Sequence, residues 1–219
     1  HDLRGPLSNF VSSTQMLFDN FENFDTDQQK KFLSDIHSSS TKTFNLLENL
    51  LDWSRSQRGM IKFNPQEIEI SGIINENVEL LKNNALKKNI SLETNITGSD
   101  LAFADENMVK TVIRNLISNA IKFTYENGRI RILSTQKNKN QIEVSVSDTG
   151  IGMKKDDMEK LFRIDVHYTT PGTKKERGTG LGLLLCKEFV EKNQGEIWVE
   201  SNFGEGSTFK FTLPTAPSS

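Results

Sequence analysis

Through residue 58 the apolar side chains recur at intervals of three and four, and that rhythm stops at Gly59. Leu3, Leu7, Phe10, Val11, Met16, Leu17 and Phe21 share one helical face, which predicts a helix over residues 2 to about 23. Asp25, Thr26 and Asp27 supply turn and N-cap chemistry. Phe32, Ile36, Thr43, Leu46, Leu47, Leu50, Leu51 and Trp53 then resume the period to about Arg58, where Gly59 suits a C-terminal stop. Two long helices joined by so short a connection make an antiparallel hairpin. By itself that hairpin leaves a wide apolar stripe in water. Pairing with a second copy as a four-helix bundle is the economical way to cover it, and packing on the remainder of the chain is the alternative.

Beyond Gly59 the pattern changes to short alternating segments separated by helices, so a domain boundary is expected near residues 59–63. Ile68 and Ile70 alternate as a strand, Ser71 is placed to cap a helix to about Lys88, and Ile90, Leu92 and a segment through Phe103 read as strands. Asp105 caps the next helix, which carries Met108, Val109, Val112, Ile113, Leu116, Ile117, Ala120 and Ile121. Asn127-Gly128 turns the chain into a hairpin near 129–136 and 141–148. Residues 163–177, polar and basic around Pro171 and Gly172, predict a long irregular loop before a helix from about Gly180 to Asn193. Strands near 196–201 and 207–213 complete a mostly antiparallel sheet covered by helices on one face, an α/β sandwich.

Charge narrows the range of functions. Lysine and arginine number 27 against 29 acids, a net charge of -2, so there is no excess positive field to hold a nucleic-acid backbone. Cys186 is the single cysteine, which excludes an internal disulfide and zinc-ligand pairs and suggests a reducing, cytoplasmic setting. Apolar runs such as Leu183 to Cys186 fall far short of the roughly 18 residues that span a bilayer, so no membrane contact is expected within this stretch. A beginning at His1 without a signal-type segment, and a tail holding Pro214, Pro217 and two serines, read as a fragment of a longer protein.

The strongest chemical signal is Asp148-Thr149-Gly150-Ile151-Gly152. Asp148 shares parity with Ile142, Val144 and Val146, which carries its carboxylate onto the covered face of a strand. A buried acid needs a donor: the exocyclic amine of adenine supplies one, whereas guanine would set a carbonyl oxygen there. Gly150 and Gly152 allow main chain to approach a flat base, although an acid capping a tight turn is the plainer explanation of this motif alone. On the preceding helix Asn115, Asn119 and Lys122 fall on one face. An amide oxygen from Asn119 suits Mg2+ already held by phosphate oxygens, Lys122 suits the phosphates themselves, and Phe123 could pack on a base; a solvated polar face is equally compatible. Gly178-Thr179-Gly180-Leu181-Gly182 opens a helix, a pattern that attracts phosphate, and Lys174, Lys175 and Arg177 precede it. Gly204-Glu205-Gly206-Ser207-Thr208-Phe209 in isolation is a hairpin turn.

Taken in order, His1-Asp2-Leu3-Arg4-Gly5-Pro6-Leu7, Asn115 to Phe123, Asp148 to Gly152, Leu161-Phe162, Gly178 to Gly182 and Gly204 to Phe209 resemble the H, N, G1, F, G2 and G3 boxes of two-component sensor histidine kinases. The resemblance implies an α+β chain. Residues 1–60 would be a dimerisation and phosphoacceptor hairpin, residues 61–214 an ATP-binding catalytic domain of the Bergerat type shared with gyrase and Hsp90, and 215–219 a tail. It implies autophosphorylation of His1 assisted by Asp2, with transfer to an aspartate of a response-regulator receiver domain. It further implies ATP held by Asn115, Asn119, Lys122, Phe123, Asp148, Gly150, Ile151, Gly152, Gly178, Thr179, Gly180, Leu181, Gly182 and Thr208, and Mg2+ held at Asn119. Homodimerisation follows from the same likeness, as does a receiver-docking surface around Ser12, Gln15, Phe18 and Asp19. Two departures stand out. Asn115 occupies the place where the ATPase relatives carry a water-activating glutamate, which favours transfer over hydrolysis. Gly5 occupies a place where much of the family has threonine or asparagine, which predicts weak phosphatase activity. An ATP-binding dimeric scaffold without kinase activity is the alternative.

Overall fold

The structure, a computed structural model, describes residues 4–57, 62–98, 100–163, 170–174, 176 and 180–216. It divides into two units, His1–Met60 and Ile61–Ser219. In the first, helix α1 (Arg4–Asp19) packs against helix α2 (Thr26–Gln57). The first helix stops short of the predicted end. The Asn20 side chain donates to the carbonyl of Met16, and the Asn20 carbonyl accepts from the amides of Asn23 and Phe24, so local bonding turns the chain before Phe21 can extend the helix. The second helix starts at a reciprocal capping box. The Gln28 amide donates to the Asp25 carboxylate at 2.8 Å, and the Asp25 amide donates to the Gln28 side chain at 3.1 Å. Phe24 stacks on Phe32 across the turn, ring centres 5.0 Å apart. Leu17 is buried, whereas Leu7, Val11, Met16, Leu33, Phe44, Leu47 and Leu51 are exposed.

The second unit is built on a five-stranded sheet in the order β2 (Ser91–Thr97), β4 (Arg129–Asn138), β5 (Gln141–Asp148), β7 (Gly206–Pro214), β6 (Ile197–Asn202). The β2–β4 pair is parallel and the others antiparallel. A separate antiparallel pair joins β1 (Gln66–Glu69) to β3 (Leu101–Ala104). Helices α3 (Ile70–Leu86), α4 (Glu106–Phe123) and α6 (Leu181–Lys192) are long, and α5 (Lys155–Met158) is a single polar turn without an apolar period to announce it. The core forms where α4 packs against α3, α6 and β5. Ile113, Leu116 and Ile117 meet a floor made by Ile130, Ile132, Ile142, Val144, Phe211 and Leu213, all essentially inaccessible to water. No helix among the described residues is long and apolar enough to cross a membrane.

One boundary differs from expectation. Ile70 begins α3 instead of continuing a strand with Ile68, and Ser71 does not cap that helix. The Ile70 amide donates to the Asp100 carbonyl and its side chain is buried beside Ile73 and Ile74, so the helix starts where the β1–β3 pairing ends. Ser71 instead donates its hydroxyl to Glu69 at 2.6 Å. Asp105 caps α4 as its position predicts, accepting from the Met108 amide at 3.1 Å.

Candidate functional site

Asp148 stands where β5 leaves the sheet. Strand alternation carries it onto the face of Ile142, Val144 and Val146, and its register partners are Ile130 and Ser207. Its carboxyl accepts from the Gly150 amide at 2.8 Å and also from the backbone of Ser207. Burial outweighs both donors and pushes the Asp148 pKa up to about 6. The chain beyond it runs against the last turn of α4, with the Ile151 amide donating to the Phe123 carbonyl at 3.2 Å. A Cβ on Gly150 would stand 2.2 Å from that carbonyl oxygen. One on Gly152, whose φ is +61°, would stand 1.9 Å from the carbonyl oxygen of Asn202. Glycine at these two positions is therefore what lets the carboxylate, the end of α4 and the β6–β7 turn meet backbone to backbone.

Along α4, Asn115, Asn119 and Lys122 share a partly exposed side while Leu116, Ile117, Ala120 and Ile121 are buried. The amide nitrogen of Asn115 is buried, and the Asn115 side chain lies against the buried Cys186 thiol, where it opposes the rise in the thiol pKa that burial causes. Gly182, in the first turn of α6, faces it: a Cβ there would lie 3.4 Å from the Asn115 amide oxygen. The Lys122 ammonium donates to the Thr170 carbonyl at 3.2 Å and sits 4.5 Å over the Phe123 ring. Burial lowers its pKa, Glu176 opposes that shift and Lys88 adds to it. Gly180 occupies the N-cap of α6 at φ +72° without a side-chain cap, leaving Leu181 and Gly182 to open the helix.

Of the residues expected from sequence, Phe123, Asp148, Gly150 and Ile151 are joined by direct contact, and Asn115 and Gly182 face each other. His1, Asp2, Gly178 and Thr179 lie outside the described residues. Thr208 is placed differently from its neighbour: it pairs with Ser147 and donates to that hydroxyl at 3.0 Å, on the face of the sheet opposite Asp148. Ser207, buried, is the residue beside Asp148. Nothing local separates two adjacent hydroxyl residues; only the β5–β7 register does.

Residues 1–59 match the family model of the His Kinase A (phospho-acceptor) domain, and residues 104–217 match that of the histidine kinase-, DNA gyrase B- and HSP90-like ATPases. The adaptive-response sensory kinase SasA of Crocosphaera subtropica is 32% identical over 222 residues, an overlap that takes in 98% of this chain and 57% of that protein. The chain thus spans a little over half the length of that relative. The catalytic domain of histidine kinase ThkA is 31% identical with a TM-score of 0.61, covering 69% of this chain and 96% of that one. ThkA crystallised with the response regulator protein TrrA has a TM-score of 0.76 at 24% identity, covering 99% of this chain and 60% of that one, a likeness of fold. A helical hairpin in the phospho-acceptor region, an ATPase-type sheet carrying Asp148 at the end of its central strand, and relatives of this kind together establish that the chain belongs to the sensor histidine kinase family.

Proposed function

We propose that this chain is an ATP-dependent protein kinase core that phosphorylates itself on His1 and passes the phosphoryl group to an aspartate of a response-regulator receiver domain. The observation that carries the reading is the Asp148 carboxyl, partly buried at the end of the central strand and held by Gly150 against the end of α4. A carboxylate has about four acceptor sites, and two backbone donors leave capacity for the exocyclic amine of adenine. The Asn115 amide oxygen, facing Gly182 in the first turn of α6, and the Lys122 ammonium lie along the helix that ends at this acid, polar groups of the kind a polyphosphate and its metal ion need. Ser207 joins the adenine end of the site in place of Thr208. Asn119 offers a neutral oxygen ligand, and Mg2+, when bound, would supply charge neutralisation at the phosphate oxygens.

In the transfer step a neutral imidazole nitrogen of His1 forms a bond to the γ-phosphorus as the bond to the bridging oxygen breaks and ADP departs, while Asp2 orients the ring or takes its proton. With Asn115 in place of a carboxylate, no base stands at that point to activate water, so the imidazole is the favoured acceptor. Residues 1–60 act as the dimerisation and phosphoacceptor unit, 61–214 as the catalytic unit and 215–219 as a tail whose first two residues stay bonded to that unit, the Thr215 amide donating to the Asn140 carbonyl and the Ala216 amide to the Leu101 carbonyl, each at 2.9 Å. The receiver is proposed to dock on α1 around Ser12, Gln15, Phe18 and Asp19, with Phe18 exposed at 81%. The fold likeness to a kinase crystallised with a response regulator supports that partner. ATP and a receiver domain are cytoplasmic reactants, so this portion is assigned to the cytoplasm.

The test is incubation with ATP labelled at the γ-position, on this chain and on a longer one that places helical turns ahead of His1. An acid-labile label that His1→Ala abolishes is expected. ATP binding without label in either form would leave the scaffold alternative, and steady phosphate release without label would indicate a gyrase-like clamp.

A further inference from the structure

Lys88 is buried, 5% exposed, and nothing in the nucleotide reading uses it. It lies in the turn between α3 and β2. Its ammonium donates to the carbonyls of Ile121 and Lys122, each at 3.0 Å, and to the Thr173 hydroxyl at 2.8 Å, and it lies 2.6 Å from the Glu176 carboxylate. The two carbonyls belong to the last turn of α4, where carbonyl groups lack helical partners and the helix dipole favours a cation. Thr173 and Glu176 belong to the loop that precedes α6. One buried charge therefore joins the α3–β2 turn, the end of α4 and the loop.

The loop is also tied to Lys122 itself. The Thr173 amide donates to the Lys122 carbonyl at 3.1 Å, the Thr173 hydroxyl donates to the Thr124 carbonyl at 2.9 Å, and the Lys122 ammonium donates to the Thr170 carbonyl at 3.2 Å. Glu176 closes the loop on itself, its carbonyl accepting from the Gly172 amide at 2.8 Å and its carboxylate from the Lys174 amide at 2.7 Å. A Cβ on Gly172 would stand 2.6 Å from Cγ of Lys122, so loop and side chain are in close contact. Glu176 also offsets the repulsion between two neighbouring ammonium groups that would otherwise share this corner unneutralised.

We infer that Lys88 and Glu176 are a positioning pair that clamps loop residues 170–174 and 176 onto the last turn of α4 and so fixes where the Lys122 ammonium meets the polyphosphate of a nucleotide. This rests on the proposed nucleotide reading, and its test separates the two. Lys88→Met, Glu176→Gln and the double substitution are made in the full chain. Binding of ATP and of adenosine is measured by calorimetry, and amide hydrogen exchange is measured without nucleotide. Each single variant should weaken ATP by about five- to thirtyfold and leave adenosine within about twofold, with the double variant no worse than the more affected single, as coupled partners behave. The Thr173 amide should exchange at least about tenfold faster in the variants while core amides such as that of Ile117 keep their protection. Unchanged ATP affinity in Glu176→Gln, equal losses for ATP and adenosine, or unchanged Thr173 exchange would each overturn the inference. Should Lys88→Met not fold, Glu176→Gln decides alone, because that side chain is 36% exposed and lies in a loop. A parent chain that binds neither ligand would sink the nucleotide reading and this inference with it.

Discussion

Asp148 holds a carboxyl whose burial raises its pKa from 3.8 to about 6, and that shift has two readable consequences. The folded state binds this proton more tightly than the unfolded state, so the group opposes folding at high pH and ceases to do so as pH falls through 6 towards 4. At about 1.36 kcal/mol per pH unit, keeping it ionised at pH 7 costs the unliganded fold about 3 kcal/mol. Asp148→Asn is therefore expected to raise stability to denaturant by up to roughly 2 kcal/mol at pH 7.5, less than the full cost because one backbone bond weakens, with the gain vanishing near pH 4. The same variant should lose adenosine binding at least about a hundredfold, and adenosine should bind the parent protein more weakly once pH drops below about 6, both checked by calorimetry. Gly5 offers a second test at this scale. It lies in α1, and a Cβ added there would meet nothing within 4 Å, so a larger side chain has room. Gly5→Thr should leave self-phosphorylation largely intact and speed dephosphorylation of the partner receiver; an unmodified protein that already dephosphorylates briskly would refute the weak-phosphatase reading.

At the level of elements, the start of α4 and the end of α6 are joined through the Asn193 side chain and the Asp105 backbone amide. Asp105 accepts from the Met108 amide at 3.1 Å and the Asn64 amide at 2.9 Å, and its own amide donates to the Asn193 side chain at 2.7 Å. Asn193, buried, donates in turn to the Phe189 carbonyl at 2.7 Å. Asp105→Ala should cost about 1–2 kcal/mol in chemical denaturation, somewhat more than the roughly 1 kcal/mol of an ordinary N-cap, because the part-buried Asn64 amide loses its acceptor as well. Asn at this position, which keeps a cap oxygen, should recover more than half of the loss. The cap was legible from sequence because an N-cap is a local device followed by eight apolar residues in helical period. The tie from Asp105 to Asn193 was not, since no spacing links residues so far apart in the chain.

For the whole molecule, the proposed dimer follows from apolar side chains that one hairpin leaves in water, among them Phe44 at 62%, Leu47 at 41% and Leu51 at 47% exposure. Leu47→Asp should shift the chain from dimer to monomer in sedimentation equilibrium while adenosine binding by the catalytic unit stays within about twofold, and a parent protein that sediments as a monomer would remove the bundle. The hairpin, the sheet strands and the helix bearing Asn115, Asn119 and Lys122 were readable because period, cap and turn residues act within one or two turns of chain. The sequence alone also placed Asp148 on the covered face, since strand parity needs no partner to be known; Gly150 and Gly152 were expected to admit a flat base, and only the fold shows that they also stand against the carbonyls of Phe123 and Asn202. Ile70 reads as strand because an apolar residue at a strand-to-helix joint fits both periods, and only its bond to Asp100 and its burial choose between them. Tertiary structure alone decided that Ser207 and not Thr208 stands beside the acid, and that Lys88, Thr173 and Glu176 meet beneath Lys122. Strand register and the burial of a paired ammonium are settled when distant segments close on one another, and a one-residue slip in strand pairing would exchange the two faces of the strand.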